Sequence, residues 1–210
     1  MTTVVLTRHG HVEGIEPPRF RGQHPLSLTE RGEKEAVMTA KYIASRWRPV
    51  SVRTSPLERC VVTGAHIAAA CGISSVISDD LLDLNYGEWQ WRTHDDVRER
   101  WPQLYTLWHV SPHLVRFPAG EALQDIVLRS SDIFRDTVEA FPNDIVVLVG
   151  HDSVNRALLL QLLDQPLSAY WKLAQDPCCI NVIECDKGKV RTISINDTSH
   201  LRSRDAASLP

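Results

Sequence analysis

Residues 2–14 read TTVVLTRHGHVEG, an apolar and β-branched run that ends abruptly in cationic and small residues. Residues 3–7 are typical of a strand that is buried on both faces of a parallel sheet. Arg8, His9 and Gly10 follow it directly, so a permanent cation and an imidazole lie at the carboxyl end of the predicted strand. A buried strand that ends in this way indicates a site that binds an anion or performs chemistry.

Two other predicted strands also end in polar or cationic residues. Residues 50–54 lead into SPLER, which ends in Arg59, and residues 145–149 lead into Gly150-His151-Asp152. Further strands are predicted at 76–77, 179–184 and 189–195, and helices at 29–46, 57–70, 93–101, 103–109, 121–141 and 153–163. Alternating strands and helices predict an α/β fold with three layers: a mostly parallel central sheet with helices on both faces.

Ligands of such sheets bind beyond the carboxyl ends of the strands, so Arg8, His9, Arg59 and His151 are predicted to surround one point. Two arginine forks suit the oxygens of a doubly charged phosphate. The positive charge of the arginines lowers the pKa of a neighbouring histidine and keeps its imidazole neutral. A neutral imidazole can attack phosphorus, and the remaining cations stabilise the transition state.

A departing alkoxide also needs a proton, and the sequence offers carboxyl groups for this purpose. Asp83 lies in LLDLNYGEW, and Asp152 directly follows His151. A bound phosphate dianion would raise the pKa of either group and keep it protonated near neutral pH. Glu88 is a third, weaker candidate.

Composition excludes several classes of protein. The formal net charge is -3, so the chain lacks the basic footprint of a nucleic-acid binder. Its apolar runs are too short to span a membrane, and the N-terminus has no secretory signal pattern. The five cysteines include no CxxC pair, so we expect buried thiols in a reduced, cytoplasmic protein. The oligomeric state is left open, with a homodimer as one alternative.

Four segments carry a resemblance to a known family. TRHG, FRGQHPLSLTERG, SPLERCVVTGAHIA and VGHDSVNRALL, in this order, resemble the histidine phosphatase superfamily, which includes the cofactor-dependent phosphoglycerate mutases. The similarity covers the chain as far as INDTSHL and implies a histidine phosphatase-like α/β domain over residues 1–198, followed by a tail at 199–210. The resemblance also implies individual roles: His9 is the phosphohistidine nucleophile, Arg8, Arg59 and His151 form the phosphate pocket, and Arg21 and Gly22 line it.

The sequence also departs from the family pattern. Asp83 lies where the mutase-like branch usually has a glutamate proton donor, and its side chain is one methylene shorter. Asp152 resembles the acid-phosphatase branch, in which the aspartate after the second histidine donates the proton. We therefore rank Asp83 first and keep Asp152 as the alternative. His11 and Val12 replace the residues common after the RHG motif and have no assigned role.

The sequence thus predicts a phosphomonoesterase that hydrolyses a small phosphorylated metabolite through phosphohistidine at His9, without a metal or other cofactor. Two alternatives remain open: a phosphoglycerate mutase-type phosphotransferase and a non-catalytic phosphate-binding protein. A metal site formed by His9, His11, His151 and Asp152 is a further interpretation, although it would not require the arginines.

Overall fold

The computed structural model describes residues 1–202, which form a six-stranded sheet surrounded by helices. The strands are β1 (Thr2–Arg8), β2 (Ser51–Thr54), β3 (Ser75–Ile77), β4 (Ile145–Gly150), β5 (Ile180–Asp186) and β6 (Lys189–Asp197). The helices are α1 (Glu30–Arg46), α2 (Glu58–Cys71), α3 (His94–Arg100), α4 (Pro102–Val110), α5 (Leu123–Ala140) and α6 (Asp152–Leu162). Within this described part of the chain, no helix has both the length and the apolar character needed to cross a membrane.

The strand order across the sheet is β3-β2-β4-β1-β5-β6. The first four strands in this order are mutually parallel, because β2 pairs in parallel with both β3 and β4, and β4 with β1. The hairpin of β5 and β6 adds two antiparallel strands at the other edge. The predicted fold class, a mostly parallel central sheet with helices on both faces, is confirmed.

The two faces of the sheet are covered by different helices, because successive side chains of a strand point to opposite faces. Val5 of β1 packs in a cluster with apolar residues of α1 and α2. Val4 and Leu6 pack in a second cluster with α5 and α6. Val146 and Val147 of β4 divide between the two clusters in the same way. The continuous apolar runs of β1 and β4 therefore contribute to two cores.

Helix ends follow the predicted capping chemistry. The hydroxyl of Thr29 accepts a hydrogen bond from the backbone N–H of Gly32 at 3.1 Å, so Thr29 is the N-cap of α1. Gly72 closes α2 in the left-handed region with φ 73°. Thr93 caps α3 by accepting from the backbone N–H of Asp96 at 3.1 Å. Each of these caps acts within its own helix end, and each confirms a helix boundary that the sequence predicts.

One predicted helix begins later than expected. The sequence predicts a start at Glu121, whereas α5 begins at Leu123. Glu121 is held in a loop instead, because its backbone N–H donates to the carbonyl of Asn85 at 2.9 Å and its carboxylate accepts from the Asn85 N–H at 2.8 Å. This pairing joins the start of α5 to the segment that contains Asp83.

Part of the predicted tail packs against α1. Ser199–Leu201 form a 3-10 turn. The ring of His200 stacks on Tyr42 at 4.9 Å, and its Nε2 lies 2.9 Å from the hydroxyl of Thr39. The remainder of that predicted tail, residues 203–210, lies outside the described residues.

Two glycines allow α1 to approach the chain directly behind the end of β1. A Cβ on Gly10 would lie 2.4 Å from the carbonyl oxygen of Gly32, and a Cβ on Gly32 would lie 2.1 Å from the carbonyl oxygen of His11. Both contacts are with backbone atoms, which cannot rotate away. The loop after His9 is therefore packed against the first turn of α1.

We expect Gly32→Ala to destabilise the protein by about 1–3 kcal/mol, because the added methyl overpacks this contact. The sign is informative, since alanine ordinarily stabilises a helix relative to glycine by roughly 0.5–1 kcal/mol. Thermal or urea unfolding measures the change, with Lys41→Ala at an exposed position of the same helix as the control. An increase in the free energy of unfolding for Gly32→Ala would contradict the packing argument.

Candidate active site

The carboxyl ends of three adjacent strands bring the predicted site residues together. In the register of β1 and β4, Arg8 lies opposite Gly150. The backbone N–H of His9 donates to the Gly150 carbonyl at 3.1 Å, and that of Ser55, directly after β2, donates to the Val149 carbonyl at 3.0 Å. The predicted convergence at one edge of the sheet is present.

The His9 imidazole is buried in a defined tautomer. Its Nδ1 lies 2.7 Å from the carbonyl oxygen of Gly10. Since a carbonyl only accepts, Nδ1 carries the proton and Nε2 carries the lone pair. The Nε of Arg59 lies 3.2 Å from His9 Nε2 and donates to it. Burial, followed by the charges of Arg59 and Arg8, lowers the pKa of His9 well below its ordinary value. The ring is therefore neutral, with its lone pair directed to the side occupied by the arginine.

Arg8 contributes a buried guanidinium with free donors. Its Nη1 donates to the carbonyl of Gln175 at 2.6 Å. Its Nε and Nη2 are also buried, yet they have no hydrogen-bond partner within residues 1–202. Buried polar groups are rarely left unsatisfied, so two unpartnered N–H-bearing nitrogens beside a histidine indicate a place for an anion.

Arg59 is fully buried and connects the parts of the site. Its Nη1 donates to the His24 carbonyl at 3.0 Å, and its Nη2 donates to the Gly22 carbonyl at 2.6 Å. The same Nη2 lies 3.3 Å from the carboxylate of Asp83. Gly22 adopts φ 46°, and a Cβ there would meet three neighbouring groups within 3 Å. Arg59 thereby holds the Gly22 segment at the mouth of the pocket.

His151 faces His9, with 5.1 Å between the ring centroids. Its Nε2 lies 2.8 Å from the hydroxyl of Ser55, and its Nδ1 lies 3.6 Å from the carboxylate of Asp83. Burial and then the charge of Arg59 lower the pKa of His151 well below its ordinary value. Two neutral imidazoles and two guanidiniums thus surround the pocket.

The two candidate proton donors have opposite electrostatic surroundings. Burial, and then the negative charge of Asp152, raise the pKa of Asp83 to about 6, although the nearby Arg59 opposes them. Burial alone would raise the pKa of Asp152 too, but the charges of Arg8 and Arg156 outweigh it and lower that pKa below its ordinary value. Asp83 is the carboxyl group that retains a proton nearer to neutral pH, and Asp152 is ionised.

The position of Asp83 is fixed by groups that carried no signal in the sequence. Arg129 of α5 donates hydrogen bonds to the carbonyls of Leu82 and Asp83, the latter at 3.2 Å. One carboxylate oxygen of Asp83 accepts from the backbone N–H of Leu84 at 2.9 Å. Leu84 is itself fully buried in the core. The other oxygen is therefore the one presented to Arg59 and His151.

His11 lies outside this cluster, contrary to the arrangement that the metal interpretation requires. Its Nδ1 lies 2.9 Å from the hydroxyl of Thr29, and its backbone N–H donates to Glu35 at 2.8 Å. β1 ends at Arg8, and these contacts hold His11 against the start of α1, away from His9. Residues 1–202 contain no group of three or more acidic, histidine or cysteine side chains arranged to hold a metal ion.

Several contributors were not identified from the sequence. Ser55 has no role in the sequence prediction, although its position directly after β2 is a usable signal. Arg156 follows Asp152 by one helical turn, a spacing that predicts a shared face. Gln175 provides its backbone carbonyl from an irregular segment before β5, where the sequence gives no signal.

The comparisons with known proteins agree with this arrangement. The model of the histidine phosphatase superfamily (branch 1) matches residues 4–198. Phosphoserine phosphatase 1 of Hydrogenobacter thermophilus is 28% identical over 201 residues, which cover 96% of this chain and 95% of that protein. The metal-independent phosphoserine phosphatase of Arabidopsis thaliana is 30% identical over 205 residues, which cover 97% and 84% of the two chains.

A solved structure, Bacillus stearothermophilus YhfR, has a TM-score of 0.91 and 26% identity to this chain, covering 96% of this chain and 100% of that one. The family match extends over nearly all of the described residues, from β1 to the end of β6. It includes every strand end that contributes to the pocket. The chain therefore belongs to the histidine phosphatase superfamily, branch 1, and is a phosphatase of that family.

Proposed function

We propose that this phosphatase hydrolyses a small phosphate monoester in two steps, through a phosphohistidine at His9. The observation that carries the proposal is the His9 imidazole: it is neutral, its Nδ1 is committed to the Gly10 carbonyl, and its Nε2 lone pair lies beside Arg59. A nucleophile needs an unprotonated ring nitrogen, and the transferring phosphoryl group needs the neighbouring cations.

In the first step, the lone pair of His9 Nε2 forms a bond to phosphorus while the bond from phosphorus to the ester oxygen breaks. The electron pair of that bond goes to the leaving oxygen, which takes the proton of the Asp83 carboxyl group. Arg8 and Arg59 donate to the equatorial oxygens of the phosphoryl group, which carry the charge of the transition state. The products of this step are phosphohistidine, an alcohol and ionised Asp83.

In the second step, water attacks phosphorus and the bond from phosphorus to Nε2 breaks. Ionised Asp83 accepts a proton from the attacking water and returns to its acid form. Inorganic phosphate leaves, and the lone pair of His9 is restored. The four cationic and imidazole groups supply the charge stabilisation, so the scheme requires no metal ion or other cofactor.

Two relatives that carry the name phosphoserine phosphatase support a small hydroxylated amino acid as the alcohol, with phosphoserine as the first substrate to test. The name of the Arabidopsis relative also supports a metal-independent reaction. The five cysteines are free within the described residues, and unpaired thiols favour the reducing cytoplasm as the compartment.

Release of inorganic phosphate from phosphoserine, with and without EDTA, tests the reaction. We expect turnover that EDTA does not change. Brief incubation with ³²P-labelled substrate should leave an acid-labile, base-stable label on the protein, as phosphohistidine does. Loss of turnover on chelation would overturn the metal-independent scheme.

The same assay separates the two alternatives. A mutase would interconvert 2- and 3-phosphoglycerate and release little phosphate. A non-catalytic binding protein would be stabilised by phosphate esters but would acquire no label. A non-catalytic binding protein does not account for the raised pKa of Asp83, whereas a hydrolase uses its carboxyl group as the acid of the first step and, once ionised, as the base of the second.

A further inference from the structure

A cleft of about 180 Å³ is lined by Asp83, whose carboxylate also contacts Arg59 and His151 of the phosphate pocket. Arg21, Asp152 and Arg156 line it together with the aromatic side chain of Trp171. The two-step reaction proposed above uses none of these three charged groups. The cleft lies where the alcohol part of a substrate would extend from the pocket, and its volume suits a small leaving group.

Asp152 lies between the two arginines without a hydrogen bond to either. Its carboxylate oxygen is 3.8 Å from Nη2 of Arg21 and 3.7 Å from Nη1 of Arg156. Both distances exceed the 2.7–3.2 Å of a typical N–H···O hydrogen bond. The Asp152 side chain is 20% exposed, so it can be reached from the cleft. These groups therefore retain hydrogen-bonding capacity for a ligand.

Both guanidiniums are held in place by groups other than Asp152. Nε of Arg156 donates to the Leu173 carbonyl at 2.8 Å, and its guanidinium lies 5.3 Å from the ring centroid of Trp171. Nη1 of Arg21 donates to the Gly14 carbonyl at 2.7 Å. Because these contacts do not depend on Asp152, the three charges form a preorganised set.

We propose that Arg21, Asp152 and Arg156 form a subsite for a zwitterionic leaving group: Asp152 binds an ammonium group, and Arg21 and Arg156 bind a carboxylate. The preferred substrates are then phosphate esters of small hydroxylated amino acids. This inference rests on the proposed function and adds to it the groups that recognise the alcohol. A substrate with a carboxylate alone would leave its negative charge next to that of Asp152, whereas an adjacent ammonium relieves the repulsion.

Three substrates separate the contributions of these residues. Phosphoserine carries ammonium and carboxylate groups. 3-Phosphoglycerate has the same skeleton with a hydroxyl in place of the ammonium, and phosphoethanolamine lacks the carboxylate. We expect Asp152→Asn to lower the ratio of kcat/KM for phosphoserine to that for 3-phosphoglycerate by about 10–100-fold, as for loss of a charged hydrogen bond. Arg156→Met should lower the ratio of phosphoserine to phosphoethanolamine by a similar factor.

Each ratio is measured on one preparation, so it does not depend on the fraction of a variant that is folded. Asp95→Asn and Arg98→Met, which remove an exposed ion pair in α3, are the matched controls and should leave both ratios unchanged. Hydrolysis of 4-nitrophenyl phosphate by the unaltered protein reports on the phosphatase reaction itself.

The outcomes are distinguishable. If the protein hydrolyses 4-nitrophenyl phosphate but the two ratios do not change in the variants, the zwitterion subsite is overturned and the phosphatase stands. If Asp152→Asn lowers kcat/KM equally for all three alkyl esters, Asp152 acts in proton transfer, which also overturns the subsite. If the unaltered protein hydrolyses no ester, the proposed function itself fails.

Discussion

Replacement of His9 by alanine should lower kcat by at least roughly 10⁴-fold and abolish the acid-labile label, because no other group can form the covalent intermediate. The neighbouring His151 cannot substitute for it: its Nε2 is engaged with Ser55 at 2.8 Å, and its Nδ1 faces Asp83. Release of phosphate and incorporation of ³²P measure the two effects.

The same variant should still bind phosphate. Arg8 and Arg59 remain in place, since Arg8 is anchored by the Gln175 carbonyl and Arg59 by the carbonyls of Gly22 and His24. We therefore expect inorganic phosphate to raise the unfolding temperature of His9→Ala, as it does for any site that binds only the folded state. His66→Ala, which removes a partly exposed histidine of α2, is the matched control and should keep full turnover. Substantial activity or labelling in His9→Ala would place the nucleophile elsewhere.

The location of the pocket was predictable because it depends on short-range patterns. The ends of β1 and β4 are each marked by an apolar run followed at once by polar residues, and Arg8, His9 and His151 occupy those positions. Parallel pairing then requires the strand ends to meet at one edge. The caps Thr29 and Gly72 were predictable for the same reason, since each acts within its own helix end.

The ionisation of the acids was not predictable, because it depends on groups distant in sequence. Burial and the charge of Asp152 raise the pKa of Asp83, whereas the charges of Arg8 and Arg156 lower that of Asp152. Of these contacts, only the one between Asp152 and Arg156, one helical turn apart, has a spacing that the sequence shows. A raised pKa for Asp83 and a lowered one for Asp152 now favour Asp83 as the donor.

The direction of the His11 side chain was a second feature that the sequence could not predict. An extended continuation of β1 would have directed it with His9, but His11 contacts Thr29, the N-cap of α1, and Glu35 of that helix instead, and Gly10 and Gly32 lie against each other there. The glycines were visible in the sequence, whereas their contact depends on the packing of α1 against the loop.

Asp83→Asn should lower kcat/KM by about 10²–10⁴-fold for an alkyl ester such as phosphoserine, because asparagine cannot protonate the leaving oxygen. The loss should be much smaller for 4-nitrophenyl phosphate, whose phenolate leaves without a proton.

The activity of the unaltered protein should also change with pH in a defined direction. With the pKa of Asp83 at about 6, its acid form is depleted as pH rises, so kcat/KM for phosphoserine should fall above about pH 6. His9 does not limit this range, since its pKa is well below the ordinary value.

The substrate phosphate also titrates near pH 6, so the ratio of unaltered protein to Asp83→Asn is the quantity to follow across pH. Contributions from the substrate cancel in that ratio, and the part that remains belongs to Asp83. Asp152→Asn is the informative comparison, because Asp152 is ionised and has no proton to donate. If instead Asp152→Asn lowers kcat/KM for 3-phosphoglycerate, an alkyl ester without an ammonium group, far more than for 4-nitrophenyl phosphate, and Asp83→Asn does not, the assignment of the donor is reversed. A reversal would mean that the positive charges of Arg8 and Arg156 no longer hold Asp152 ionised once phosphate occupies the pocket, since a dianion neutralises part of their field.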